Sequence, residues 1–299
     1  MVGNSASLNS ALAATARAID ERLDVLLPRS EGAERTLLDA MRYSAIGAGK
    51  RLRPLLVLAS SELFGVSRDS ALQVGAAIEC VHCYSLVHDD LPCMDDDDLR
   101  RGKPTVHKAF DEATAVLAGD ALLTFAFDIL AMESTHSDPG VRVQLVQALA
   151  HTSGAQGMVG GQAIDLAAAD EDMDLGAITR LQQMKTGALI CFASEAGAIL
   201  GKATMQQRQA LRGYAHDLGL AFQIADDLLD VEGDPETVGK ATQKDEDAGK
   251  ATFVSLLGVE RAKQQAGILV DQAIAHLSEF GDEANLLRAV AHFVIDRDK

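Results

Sequence analysis

Asp89 and Asp90, followed by Asp95 to Asp98, and a second group of Asp226, Asp227 and Asp230 are the residues whose types and spacing could do chemistry. Carboxylates crowded in this way repel one another. Hard divalent cations such as Mg²⁺, held by one or two carboxylates and by substrate phosphates, relieve that repulsion. Asp89 and Asp90 close a mostly apolar stretch of helical periodicity. At 100° per residue His82, Ser85 and Asp89 fall within about 60° of one another, so a polar stripe runs up one face and ends in carboxylates. Pro92 then disrupts the helix. On an unbroken helix Asp89 and Asp95 would stand about 120° apart, so a distortion near 91–94 is needed to swing Asp95 back toward Asp89. Arg100, Arg101 and Lys103 follow directly, and guanidinium forks match phosphate oxygens. Acid, acid, then paired arginine suits a metal-bridged diphosphate. A solvated acidic loop is the plain alternative. A calcium loop of the EF-hand type is excluded, because D-x-D-x-D-G with a distal Glu is absent.

Asp226 and Asp230 lie one turn apart and project from the same face. Gln223 shares their arc of roughly 100°. Phe222, Ile224, Leu228, Leu229 and Val231 turn this helix toward a core, so its acidic face is expected to border a cavity. A surface helix could carry the same stripe. Two acidic groups on apolar helices far apart in sequence suit facing walls of one site, a common arrangement in helix bundles. Downstream, 231–253 carries Gly233, Pro235, Gly239 and Gly249 with Lys240 and Lys250, and reads as a lid or as a plain surface loop. Lys50, Arg51 and Arg53 in GAGKRLRP form a basic cluster suited to gripping phosphate, with Pro54 fit for a first helical turn. The stretch lacks the spacing and the Ser/Thr of a nucleotide-binding P-loop. Gln162 and Asp165 in GGQAIDL, and Lys185 and Thr186 in LQQMKTGALICFA, are further polar residues set in apolar helices.

The elements that must position these groups are helices. The chain has 299 residues, 47% hydrophobic and 24% charged, with 4% aromatic residues and no Trp. Abundant Ala and Leu point to helix over sheet. Periodicity predicts helices near 8–27, 33–47, 51–64, 69–90, 111–132, 140–157, 175–200, 204–231, 252–279 and 283–296. No low-complexity linker or repeat divides them, so 1–299 reads as one all-α domain, a bundle whose 71–90 and 187–200 segments, apolar almost all round, are central. The net charge of −17 argues against nucleic-acid partners and against docking on an anionic membrane. No apolar run reaches the roughly 18 residues of a membrane span, and the N-terminus lacks signal-peptide character. Cys80 and Cys83 form a CxxC with no second pair to complete a zinc site, and read as two small apolar residues on a buried helix. A cytoplasmic location is expected.

GKRLRP, ECVHCYSLVHDDLPCMDDDDLRRGKPTVH, LAGDALL, GGQAIDL, MKTGALI, FQIADDLLD and the GK pairs, in that order over roughly 40 to 260, resemble the trans-isoprenyl diphosphate synthases, closely the bacterial farnesyl diphosphate synthases. The resemblance implies an all-α barrel of about ten helices around a deep central cavity, usually a homodimer. It implies condensation of isopentenyl diphosphate with dimethylallyl or geranyl diphosphate to farnesyl diphosphate. Asp89, Asp95 and Asp226 match ligands of three Mg²⁺ ions. Arg100, Lys185 and Lys240 match contacts to the allylic diphosphate, while Lys50, Arg53, His82 and Arg101 match the metal-free isopentenyl diphosphate pocket. Thr186 and Gln223 match polar groups facing the allylic cation. Tyr84, with Ser85 beside it, matches the floor that sets chain length, although helical geometry alone puts Tyr84 some 140° around from Asp89. Ala48 departs from the second glycine common before Gly49-Lys50. A geranylgeranyl diphosphate synthase, a terpene cyclase and a non-catalytic partner subunit remain as alternatives.

Overall fold

The computed structural model describes residues 2–47, 49–167, 173–232 and 252–296, with side chains from Ser7 onward. Lys240, Lys250, the loop that carries them and Ala48 lie outside the described residues. The helices are α1 (Val2–Leu26), α2 (Arg35–Ala45), α3 (Leu52–Glu62), α4 (Arg68–Asp89), α5 (Val106–Ala109), α6 (Glu112–Ala131), α7 (Pro139–Ser153), α8 (Met158–Ala167), α9 (Leu175–Gln182), α10 (Ala188–Leu200), α11 (Met205–Glu232), α12 (Phe253–Leu257), α13 (Val259–His276) and α14 (Asn285–Asp296). Among the described residues the sheet is one pair of two-residue strands, β1 (Leu99–Arg100) and β2 (Lys103–Pro104), antiparallel.

Side-chain caps mark many of the starts. Asp111 accepts from the Thr114 amide at 2.7 Å, Asp138 from Gly140 at 2.8 Å ahead of Pro139, and Asp174 from Ala177 at 2.8 Å. Each supplies an acceptor to an amide that has no intrahelical partner. The all-α expectation holds, and four local readings need correction. The predicted 140–157 helix stops at Ser153, and GGQAIDL belongs to the separate α8. The predicted 175–200 helix is interrupted by a π turn, Gln183–Gly187. The predicted 252–279 helix breaks at Gly258, whose φ of 78° no helix accommodates. The β hairpin at 99–104 carries no run long enough for strand periodicity to register.

α4 and α10 form the centre. α4 packs against α6 and α3, α10 against α3 and α11, and α11 against α13. Cys80 and Cys83 sit inside α4, unbonded, and burial pushes the Cys83 thiol up to about 12, so the pair is inert apolar filling. α10 is locked to α3 at Gly197, where an added Cβ would lie 2.3 Å from the Ser60 carbonyl carbon. By length and mean composition alone α4 and α6 are apolar enough to cross a membrane, although Glu79, and Asp120 with Asp128, interrupt their apolar runs. The α4 stretch is mostly buried inside the bundle, whereas α6 turns Val116 and Leu117 outward.

Arg51 corrects the reading of the basic cluster. It takes a left-handed φ of 54° and turns inward, its side chain fully buried. Its guanidinium donates to Glu79 at 2.6 Å, and to Asp20 and the Ala45 carbonyl at 2.6 Å each. It therefore holds α1, α2 and α4 together at the start of α3. Arg51→Met leaves the Glu79 carboxylate buried without its cation, and is expected to lower stability by about 3–5 kcal/mol in urea unfolding. Unchanged stability would mean that the pair is not holding these helices.

Candidate active site

The turn after α4 folds back as its proline suggests. The Asp95 amide donates to the Asp89 carbonyl at 2.8 Å, and the Met94 amide to Leu91 at 2.8 Å. Asp95 is thereby brought within electrostatic reach of Asp89. Burial pushes the Asp89 carboxyl up to about 6, with Asp95 and Asp90 adding to the rise against Lys185 and Arg100. The other aspartates of the run have separate duties. Asp90 is buried and takes the Arg100 fork, with Nε at 2.7 and 2.9 Å from its two oxygens. Asp97 stands 3.5 Å from the same guanidinium, and Asp98 pairs with Lys108 at 2.8 Å on the surface. Asp89 and Asp95 repel one another, and a cation would relieve that repulsion.

The hairpin turn at Arg101 (φ 53°) and Gly102 (φ 76°) lays Arg101 over Gly49, where an added Cβ would fall 2.3 Å from its guanidinium. The φ of 85° requires glycine at position 49, whereas the Arg101 tip could shift aside. A cleft of about 100 Å³ opens beside the hairpin, with Gly49, Asp90, Arg100 and Arg101 in its wall. Arg53, His82 and Arg101 gather on the α3–α4 side. Burial lowers the Arg53 pKa, with Glu79, Arg101 and Asp226 as its charged neighbours. Burial, then the cations Arg53 and Arg101, hold His82 well below its ordinary value, so its ring is neutral. The buried Nε of Arg53 has no hydrogen-bond partner among the described residues, so this cluster could receive an anion. Lys50 sits 5.9 Å from the Phe293 ring of α14, a cation–π contact at the rim.

The opposite wall is the π turn and α11. Lys185 Nζ donates to Asp165 of α8 at 2.7 Å. The Thr186 hydroxyl donates to Gln223 Oε1 at 3.3 Å, and Gln223 donates to Asp227 at 2.9 Å. Asp227 also accepts the Phe253 amide at 2.9 Å, so this buried carboxylate ties α12 to α11. Asp226 is the member of the second cluster that feels Arg53. Tyr84 is buried beneath the first cluster, edge-on to His88 at 5.6 Å, with its hydroxyl pushed up to about 12 by burial and then by Asp89. Ser85 donates to the His82 carbonyl at 2.9 Å. Sequence reasoning missed the positioning roles of Asp90, Asp165 and Asp227. The signal for Asp165 was its place as a polar residue in an apolar helix, without a partner to name.

Among the described residues no three His, Cys, Asp or Glu side chains are grouped to hold a metal by themselves. That fits Mg²⁺, which takes one or two carboxylates and completes its shell from phosphate and water. The repelling Asp89–Asp95 pair supplies such oxygens.

A family model described as polyprenyl synthetase matches residues 34–292. The chain is 46% identical to the farnesyl diphosphate synthase of Escherichia coli K12 over 88% of its own length and 90% of that protein. It is 41% identical to the farnesyl diphosphate synthase of Geobacillus stearothermophilus, covering 94% and 95% of the two chains. The crystal structure of an FPP/GFPP synthase from Zymomonas mobilis superposes with a TM-score of 0.91 at 58% identity, over 97% of this chain and 99% of that one.

Proposed function

The chain belongs to the polyprenyl synthetase family, and from that membership we propose that it condenses isopentenyl diphosphate with dimethylallyl and then geranyl diphosphate to give farnesyl diphosphate. One observation carries the two-substrate reading. Two separate cationic groups flank the aspartates, Arg100 with Lys185 and Arg53 with Arg101 around neutral His82. A cyclase needs one diphosphate seat; this site has the residues for two.

Arg100 and Lys185, oriented by Asp90 and Asp165, grip the allylic diphosphate, with Lys240 as a further contact. Asp89, Asp95 and Asp226 would hold Mg²⁺, three ions by the family resemblance. When bound, the metal neutralises charge on the departing diphosphate. The allylic C1–O bond breaks and its electron pair leaves with diphosphate. The oxygens of Thr186 and Gln223 face the positive carbon in an otherwise apolar wall. Lys50, Arg53, His82 and Arg101 hold isopentenyl diphosphate so that its double bond attacks C1. The proton then lost passes to the released diphosphate, which removes the need for a protein base.

Incubation with Mg²⁺, either starter and labelled isopentenyl diphosphate should give a fifteen-carbon product on chromatography. Absence of label in any prenyl product would overturn the assignment. A chelator is expected to reduce turnover to background, and added Mg²⁺ to restore it; activity that survives chelation would remove the metal from the scheme. The FPP/GFPP name of the 58% identical relative favours a second reading, in which a longer product accompanies the first. A homodimer in the cytoplasm, without stable membrane association, completes the proposal. The outward Val116, Leu117 and Val143 of α6 and α7 suit burial against a second copy.

A further inference from the structure

The π turn that carries Lys185 and Thr186 is held between two helices in a matched way. On one side α8 approaches so closely that a Cβ on Gly161 would lie 2.3 Å from the Lys185 amide nitrogen and 2.7 Å from its Cα. Four residues along the same face, Asp165 takes the Lys185 ammonium at 2.7 Å. On the other side α11 brings Gly219 against Gly187, a Cβ there falling 3.1 Å from the Gly187 Cα. Four residues along, Gln223 accepts from Thr186. Each helix thus offers a glycine to the turn's backbone and a polar group to its side chain.

A π turn holds one residue more than an α turn in the same rise. Reversion to α geometry would rotate Lys185 by about 100° relative to α10. α10 cannot rotate to compensate, because Gly197 is locked against the Ser60 backbone. Anything that pushes the turn must therefore move Lys185 and Thr186 themselves.

We propose that Gly161 is a positioning residue of the reaction, acting through the Lys185 backbone to set the depth and direction of the ammonium that meets the allylic diphosphate. Gly219 does the same for Thr186 from the opposite side. The inference rests on the prenyl-transfer reading above. The Gly161 contact is to backbone, which cannot swing aside as a side-chain tip can. The Gly219 contact is looser, so its neighbour needs to give only a few tenths of an ångström.

The test uses the full chain, Mg²⁺, geranyl diphosphate and isopentenyl diphosphate. Gly161→Ala is expected to lower kcat/KM for geranyl diphosphate by about 10²-fold, the cost of a displacement near 1 Å at a reacting centre. The KM for isopentenyl diphosphate should stay within about twofold, because its seat lies on α3, α4 and the hairpin. Calorimetry with a non-ionisable thiolo analogue of geranyl diphosphate should show the same selective weakening. Gly219→Ala should show a several-fold loss of the same kind. Gly267→Ala, where nothing lies within 4 Å of the added methyl, should leave all of these values unchanged. A folded Gly161→Ala with wild-type kcat/KM, or one that loses both substrates equally, overturns the proposal. If Gly161→Ala does not fold, wild-type kinetics in Gly219→Ala overturn it instead. Failure of the wild-type chain to consume isopentenyl diphosphate is a different outcome, and would sink the prenyl-transfer reading.

Discussion

Asp89→Ala is expected to lower turnover by about 10³-fold or more while the helical fold is retained. The size follows from what the carboxylate would do. As a metal ligand it stabilises charge that develops on the departing diphosphate, and single preorganised groups of this kind are worth about 10²–10³ in kcat, more where a metal depends on them. Retention of the fold follows from its surroundings. The folded pKa of Asp89 is about 6, raised first by burial. A carboxyl whose folded pKa lies above its unfolded value weakens the native state once ionised, and at pH 7 Asp89 is past that point. Its removal should therefore leave the thermal midpoint unchanged or higher. Asp90→Ala should behave differently, since it strips Arg100 of a buried partner and costs stability. Near-normal kcat in folded Asp89→Ala would end the ligand assignment.

Tyr84→Ala is expected to shift the product from fifteen carbons to longer chains. The helical wheel alone aims Tyr84 away from Asp89, yet the folded Tyr84 hydroxyl feels the Asp89 charge. The ring is seated edge-on to His88, whose Nε2 lies 3.0 Å from the Val116 carbonyl of α6. A prenyl tail growing down from Asp89 between α4 and α6 would meet this ring. Truncation in a closed core would cost about 3–5 kcal/mol by analogy with other aromatic residues. A site that opens into a substrate channel should lose less. Tyr84→Phe keeps the ring and should keep the product length. Chromatography of labelled products decides the matter: a Tyr84→Ala product that stops at fifteen carbons removes Tyr84 from the floor.

Much of the site was legible because its signals are local. Asp89 below Pro92 and the return of Asp95 depend on a few consecutive residues, and the Asp95–Asp89 backbone bond at 2.8 Å realises that geometry. The same holds for the sides of α4 and α10 that the bundle buries. Pairing among like-charged neighbours was not legible. Asp90 was indistinguishable from Asp89 by type, and only the hairpin's delivery of Arg100 gives it a different task. Arg51 and Arg53 are two residues apart with the same chemistry. The left-handed backbone at Arg51 sends its guanidinium onto Glu79, Asp20 and the Ala45 carbonyl, while Arg53 is buried beside Arg101 and feels both Glu79 and Asp226. The π turn was hidden because its sequence continues a helical pattern on both sides. What sits against its backbone, Gly161 and Gly219, comes from other helices.

The sequence by itself determined that the chain is helical, where its two aspartate clusters lie, and that they belong to a family of prenyl-transferring enzymes. Periodicity along single stretches is enough for the first two, and the third comes from seven motifs, in order along the chain, that resemble those enzymes. Only the tertiary structure decided which of those charges meet each other. An ion pair is set by what faces it across an interface, and the partners here come from 10 to 31 residues away along the chain.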